Sequence, residues 1–578
     1  MCGIYGITAH DPAFIQQYIK TCSHRGPDGS KIWWDPEHKI TLGHNLLSIM
    51  ADPQLSVQPW KTPNGNTLVY NGEIFNYHEL KSKYKDKGFS GITGCDPELL
   101  AWGLDKFGLN FIDEIDSMHG FAYYKHKEQQ IYLSRDHAGI KPLYYAQIDK
   151  GLVFGSEIKG MLDKVPGSRK IDRLAASFQS RTGLNPLRNT LFSGIKKLLP
   201  GETIVWDISN KKIINTKRIY IKPNSNAKFD TKEFRLQIKL AVKRCSIGQR
   251  KIGVFLSGGL DSSVVAYELG KIHDQVNTFT NKFNPTVTGD EDYNSDAEAA
   301  KVLADIEDYV HTEVEITPKI FKDSWNDSVY YGEQPVYTPN SSMYCHTNKV
   351  LADHGIVVTM AGDMGDEILG GYAKYQHILQ RRVKIKKWIH VLKHWMNRVK
   401  RPIPLIDDVM DDDILVEEFS KCYSDELWNK NDPTASYMAL DCVTQVPEEF
   451  FSRNDKYGMA YGMEGRFPLA SKFFMQYCLN IPTTYKIGTR DQDTKLLTKI
   501  AYKKLLPEQI RNKSKTGWTV PVGLWLKEKA DQELEDFYVE GMEGIGKLDS
   551  ITANAKAGKS LIPAWAYKSW KETYKIKY

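Results

Sequence analysis

Five residues in the first hundred are of types that could together break an amide bond: Cys2, Asn71, Gly72, Glu73 and Asp96. A thiol in second place gains its own base once Met1 is removed, because the new α-amino group, with a pKa of about 7.7–8.0, can take the thiol proton. The small Cys2 side chain favours that removal. Acyl transfer also needs donors for the oxyanion, and an Asn side chain beside a glycine N–H, here Asn71 and Gly72, is a suitable pair. Glu73 and Asp96 offer carboxylates to a cationic substrate group. Each feature alone has an ordinary reading: a terminal cysteine is more often inert, and Asn-Gly by itself is a hairpin turn.

The surrounding sequence must position them. With 578 residues the chain is too long for one core, so two or three domains are expected. A composition of 41% apolar and 26% charged residues is that of a folded globular protein. Net charge +6 says little about nucleic acid. Eight scattered cysteines without a CxxC pair exclude a disulfide framework or a zinc knuckle and fit a reducing compartment. No signal-peptide pattern or membrane-length apolar run is present, so a cytoplasmic protein is expected. KITLGHNLLSI, NTLVYNGEIF, GFAYYKHKEQQIYLSRD, PLYYAQI and GLVFGSEI read as strands, with helical spacing in YHELKSKYKDKGF and PELLAWGLDKFG. A layered α+β unit reaching about residue 200 follows.

CGIYGI, HRGPDG, YNGEIFN, GCDPE and LSRDHAGIKPLYY, in this order, resemble the class II glutamine amidotransferases. The resemblance implies an N-terminal-nucleophile hydrolase domain with four α/β/β/α layers over residues 2–205, which frees ammonia from glutamine. By it, Cys2 attacks the glutamine amide, Asn71 and Gly72 form the oxyanion hole, and Glu73 and Asp96 bind the α-ammonium. The family's HxRLS segment supplies an Arg for the glutamine α-carboxylate; here His44-Asn-Leu-Leu-Ser places Leu46 there. A lost partner of this kind is worth roughly 1.5–3 kcal/mol. Arg25 is a candidate replacement.

After the polar stretch IYIKPNSNAKFD the pattern changes to strands alternating with helices, which predicts a doubly wound parallel sheet. Leu256-Ser257-Gly258-Gly259-Leu260-Asp261-Ser262-Ser263 reads as a strand-to-helix turn, whose glycines allow close approach of an oxyanion and whose N–H groups and hydroxyls attract phosphate. Asp261 can hold Mg²⁺ on the phosphate side. The loop lacks the Walker A pattern and resembles the PP-loop of ATP pyrophosphatases. Ala361-Gly362-Asp363-Met364-Gly365-Asp366-Glu367 gathers three carboxylates, suited to Mg²⁺ or to a proton from ammonia, or else a solvated acidic turn.

These strings, with NDKYGMAYGMEGRFPL and KSKTGWTVP, resemble the synthetase domain of the asparagine synthetases, expected here over residues 228–578 with a helical C-terminal extension. The resemblance implies ATP and Mg²⁺ as cofactors. It places Leu256, Ser257, Gly258, Gly259, Asp261, Ser262 and Gly362 at ATP, and Asp261 and Asp366 at the metal. Asp363 and Lys515 become catalytic, and Asp455, Glu464 and Arg466 lie on the acceptor side. Ala361, Ala470 and GEQPVYTPNSS depart from the family pattern, which leaves the acceptor carboxylate open among aspartate, a sugar uronate and a peptide acid. An ammonia-dependent synthetase with a weakened glutaminase is a further alternative. The expected partners are these small molecules and a second copy of the chain, with no nucleic acid and no membrane. The basic stretch 380–402 carries apolar residues at helical spacing. It reads as a surface helix with one face in the core, countered by the acidic DDVMDDD, or alternatively as an interface for a membrane or an acidic partner.

Overall fold

The computed structural model describes residues 2–577 except 285–292, 336–337, 381–387, 399–405, 407, 424, 491–492, 514–519, 529 and 543–561. Alternation along the early strands produces a sandwich. One six-stranded antiparallel sheet runs in the order Lys196–Lys197, Tyr144–Ile148, Gly151–Gly155, Gly3–Ile7, Ile40–Leu46, Gly29–Asp35. A second runs Lys212–Arg218, Glu202–Asp207, Gln130–Arg135, Ser117–Lys125, Thr67–Ile74, Trp60–Lys61. Ile4, Leu42, Val69, Ala122, Leu133 and Phe154 fill the space between the sheets. Tyr5 and Ile7 point the other way, onto the helix Pro12–Thr21. Leu68 and Tyr70 likewise turn outward onto the helices Tyr77–Tyr84 and Asp96–Phe107. Strand side chains alternate between faces, so the result is four layers, helix, sheet, sheet, helix.

The same two-residue period positions the chemistry. Cys2 shares parity with Ile4, and Asn71 and Glu73 share parity with Val69. All three therefore face the space between the sheets, at one end of the sandwich.

Asp230 ends the linker as an N-cap, its side chain accepting from the Glu233 N–H at 2.7 Å, and the helix Thr231–Cys245 leads into the second half. There five parallel strands run in the order Val310–Ile316, Asn277–Phe283, Ile252–Phe255, Val358–Met360, Glu464–Arg466. Ile252–Phe255 has its sequence successor on one side and a much later strand on the other. That makes its C-terminal end the topological switch point, where doubly wound sheets bind ligands. The chain end returns to the first half: in the helix Ile562–Tyr574, Trp565 stacks on Trp325 with centroids 3.8 Å apart and Trp570 meets Phe192.

Part of the basic stretch is described, as the helix Trp388–Arg398. Val391, Leu392 and Met396 are buried, and the helix packs against Arg173–Thr182 and Pro433–Val443. The expected counter-charge is arranged differently. Asp408 pairs with Arg173, and Asp412 with Arg181 at 2.8 Å, so these acids answer the first domain's helix. No described helix is long and apolar enough to cross a membrane.

Candidate active sites

Cys2 is 7% exposed, and its backbone N–H donates to Asn71 Oδ1 at 3.0 Å. That bond fixes the amide, leaving Asn71 Nδ2 buried and without a hydrogen-bond partner among the described residues. Its neighbour must be glycine, because a Cβ at Gly72 would lie 2.2 Å from the Met118 carbonyl oxygen. Asp96 opens its helix, and its Oδ2 accepts from the Ile74 N–H at 3.0 Å. Burial pushes the Cys2 thiol up and Asp96 up to about 6. Burial and then the nearby Asp96 also push Glu73 up, while Arg466 opposes them. Cys2, Leu46, Gly72, Glu73 and Asp96 share one cavity, which no lysine or arginine lines among the described residues.

Arg25 is therefore not the replacement for the missing cation. It is fully buried outside this cavity, with Nη1 3.0 Å from both Glu157 and Asp455 and Nε donating to the Cys2 carbonyl at 3.3 Å. Leu46 is 5% exposed where a guanidinium would serve a carboxylate. The Leu46→Arg variant is expected to lower the KM for glutamine roughly tenfold or more, read as glutamate release. An unchanged KM would show that the α-carboxylate is held elsewhere.

The second site forms where Ser257–Gly259 and Ala361–Met364 meet at the switch point. Here Gly362 must lack a side chain, because a Cβ would come 2.6 Å from the Ser262 backbone nitrogen. Ser257 and Ser262 hydroxyls lie 3.0 Å apart at the start of the helix Leu260–Gly270. Ser257, Gly259, Asp261, Ser262, Gly362, Asp363 and Asp366 line a cavity of about 530 Å³, where the cations Arg453, Lys495, Lys499, Arg511 and Lys513 are interleaved with these carboxylates and with Asp296, Glu367 and Glu449. Lys495 Nζ sits between Asp261 and Asp366 (2.6 Å from the latter). Burial alone would lower its pKa, but the two carboxylates outweigh it and hold the ammonium charged.

Lys495 escaped the sequence reading because its partners lie more than a hundred residues away; the only signal was a lysine ending the polar run GTRDQDTK. Leu256 and Gly258, expected at ATP, do not line the cavity. Leu256 is buried with its N–H bonded to the Phe279 carbonyl, and Gly258 faces Asp296, whose oxygen lies 2.4 Å from where a Cβ would be. Lys515 lies outside the described residues.

Asp455, Glu464 and Arg466 also require correction. None lines this cavity; they are buried between the two halves. Asp455 pairs with Arg25 and lies 3.7 Å from Lys141, while Arg466 joins Glu464 to Glu73. Nearby, Glu333 accepts from the Ile158 and Lys159 N–H groups and pairs with Lys456.

Asp363 is pushed up by burial from its usual 3.8 to about 6. Because its folded value is raised, ionised Asp363 weakens the fold, an effect absent below about pH 4 and complete above about pH 6. Asp363→Asn should therefore be more stable than the parent at pH 8, by up to about 3 kcal/mol, and equal to it near pH 4. Thermal unfolding at both pH values checks this; an equal Tm at pH 8 would contradict it.

Asp261 and Asp366 are oxygen donors of the kind Mg²⁺ takes, one or two carboxylates beside a substrate phosphate. The only group of three His, Cys, Asp or Glu side chains close enough for a metal, among the described residues, is Asp35, His38 and His126, and it is bonded into a network with Tyr124.

Residues 233–566, more than half of the chain, match the family described as asparagine synthase, and residues 1–220 match the glutamine amidotransferase domain. The chain is 26% identical to the glutamine-hydrolyzing asparagine synthetase 1 of Bacillus subtilis, over 93% of this chain and 90% of that protein. It is 24% identical to the glutamine-hydrolyzing asparagine synthetase B of Escherichia coli, over 93% and 86%. Amidase chry2 of Gibberella zeae is 22% identical over 95% and 93%. An N-terminal-nucleophile amidotransferase domain joined to a doubly wound domain defines a carbon–nitrogen ligase with glutamine as nitrogen donor. The chain belongs to the asparagine synthase family.

Proposed function

We propose that this protein uses ATP to activate a carboxylate as an acyl-adenylate and amidates it with ammonia drawn from glutamine. The observation that carries the ATP half is the convergence of the Ser257–Ser262 and Gly362–Asp366 segments at the switch point, in a cavity with five cationic side chains. Cys2, freed of Met1, attacks the glutamine amide carbon as its α-amino group takes the thiol proton. Asn71 Nδ2 and the Gly72 N–H receive the developing oxyanion. Ammonia leaves, and water later hydrolyses the thioester to glutamate. In the second site the carboxylate oxygen attacks the α-phosphorus of ATP and pyrophosphate departs; ammonia then displaces AMP, and Asp363 takes its surplus proton. Asp261 and Asp366 would hold Mg²⁺, which supplies charge neutralisation on the phosphates. Ser257, Ser262 and the cationic residues orient the polyphosphate. Lys515 takes the catalytic place that the resemblance gives it, and a homodimer is the expected assembly.

Aspartate is the first acceptor to test, since the relatives are named asparagine synthetases. A second reading, a bulkier acid, is favoured by a further cavity of about 400 Å³ that shares Thr338, Gln445, Glu449 and Arg453 with the nucleotide cavity and reaches Gln179 and Asn185 of the first domain. The test is pyrophosphate and AMP release with aspartate, then uronates and peptide acids, using glutamine or ammonium. No pyrophosphate with any acceptor would refute adenylation.

A further inference from the structure

We propose that Arg466, a residue of the second domain's sheet, is a positioning residue for the glutaminase reaction, completing the subsite for the α-ammonium of glutamine through Glu73. This rests on the glutaminase reading given above.

The guanidinium is immobilised from its own side. Arg466 Nε donates to Glu464 Oε1 at 2.6 Å, and Nη1 donates to the carbonyl of Cys245, the last residue of the helix Thr231–Cys245, at 2.7 Å. A helix C-terminus carries partial negative charge and suits a cation. Nη2 is left to cross the domain boundary, donating to Glu73 Oε2 at 3.0 Å. Arg466 is 0% exposed, so water screens this pair little.

One end of the Glu73 carboxylate is thus held, while Oε1 is buried and has no hydrogen-bond partner among the described residues. Glu73 lines the cavity of Cys2 beside Asp96. Two buried carboxylates in one pocket repel each other, and without a nearby cation one of them takes a proton and stops attracting an ammonium. Arg466 opposes protonation of Glu73 and fixes its orientation, while the second oxygen remains for the ligand. The contact has an address in the other active site as well. The strand Glu464–Arg466 pairs with Val358–Met360, and the Arg466 carbonyl accepts from the Ala361 N–H at 3.3 Å, where the loop to Asp363 begins.

The test uses the full chain with Arg466→Met and Arg466→Lys, measuring glutamate release without ATP. Arg466→Met should raise the KM for glutamine roughly 10- to 100-fold with kcat changed less than about threefold, and Arg466→Lys should recover part of the loss. For 4-carbamoylbutanoate, which is glutamine without its α-amino group, the same variants should leave KM unchanged. In a double-mutant cycle, Glu73→Gln with Arg466→Met should be no worse than Glu73→Gln alone. Ammonium-driven pyrophosphate release should persist and serves as the check of folding; if Arg466→Met does not fold, Arg466→Lys and Glu73→Gln carry the comparison. Equal losses for both substrates, additive losses in the cycle, or an unchanged glutamine KM would overturn the role of Arg466. A parent protein that releases no glutamate from glutamine would instead overturn the glutaminase reading.

Discussion

Cys2→Ala is expected to lower glutamine-driven amide synthesis by a factor of at least about 10³ while leaving ammonium-driven synthesis within about twofold. The size follows from removing the atom that forms the covalent intermediate in the proposed mechanism, since the proposed oxyanion donors alone would leave only a small residual rate. The selectivity follows from geometry. Cys2 lies in a cavity lined by Leu46, Glu73 and Asp96, whereas the nucleotide cavity is lined by Ser257, Asp363 and Lys495. Alanine also suits the site, since the bond that Cys2 makes to Asn71 comes from its backbone N–H. The check is product formation with glutamine and then with ammonium chloride; loss of both, or of neither, would remove Cys2 from the mechanism.

Lys495→Met should reduce pyrophosphate release about 10²- to 10³-fold, the usual effect of deleting a preorganised charge beside a reacting centre. Two consequences combine. On the proposed reading the polyphosphate loses one of the cations lining its cavity, and Asp261 and Asp366 lose the ammonium between them. Like charges facing one another raise a carboxyl pKa. The variant should therefore recover part of its nucleotide affinity as Mg²⁺ is raised, because a divalent ion can occupy the place between the carboxylates. Glutamate release from glutamine should stay within about twofold of the parent. Pyrophosphate release at the parental rate would mean that Lys495 serves only the fold.

Which of these features was legible in the sequence depended on how far apart the cooperating residues lie. The Ser257–Ser263 string carries its own context, a strand before it and a helix after it, so its place at the switch point could be expected. The layers of the first domain follow from alternation, which also turns Cys2 of one sheet and Asn71 and Glu73 of the other toward the space between them. A motif does not announce which side of a sheet it serves, however. Arg466 and Glu464 belong to a string associated with the synthetase, yet their side chains cross to the other domain. Asp455, expected at the acceptor, is held by Arg25, a residue more than four hundred positions earlier. Arg25 itself was plausible for glutamine only while Asp455 and Glu157 were not known to surround it. Lys495 was invisible for the same reason. Leu46 was the opposite case: one residue departing from a pattern, with no lysine or arginine lining the folded cavity among the described residues to compensate.

The charges buried between the two halves carry a consequence for how the protein is held together and inherited. Arg25, Lys141 and Lys159 on one side face Asp455 and Glu333 on the other, and Arg466 crosses back to Glu73. A buried charge deprived of its partner is far more costly than the intact pair is stabilising. Each half is thus the other's counter-ion, and neither would present a tolerable surface alone. Recombination can trade such domains only as a matched set, so this seam makes the two catalysts a single unit of descent.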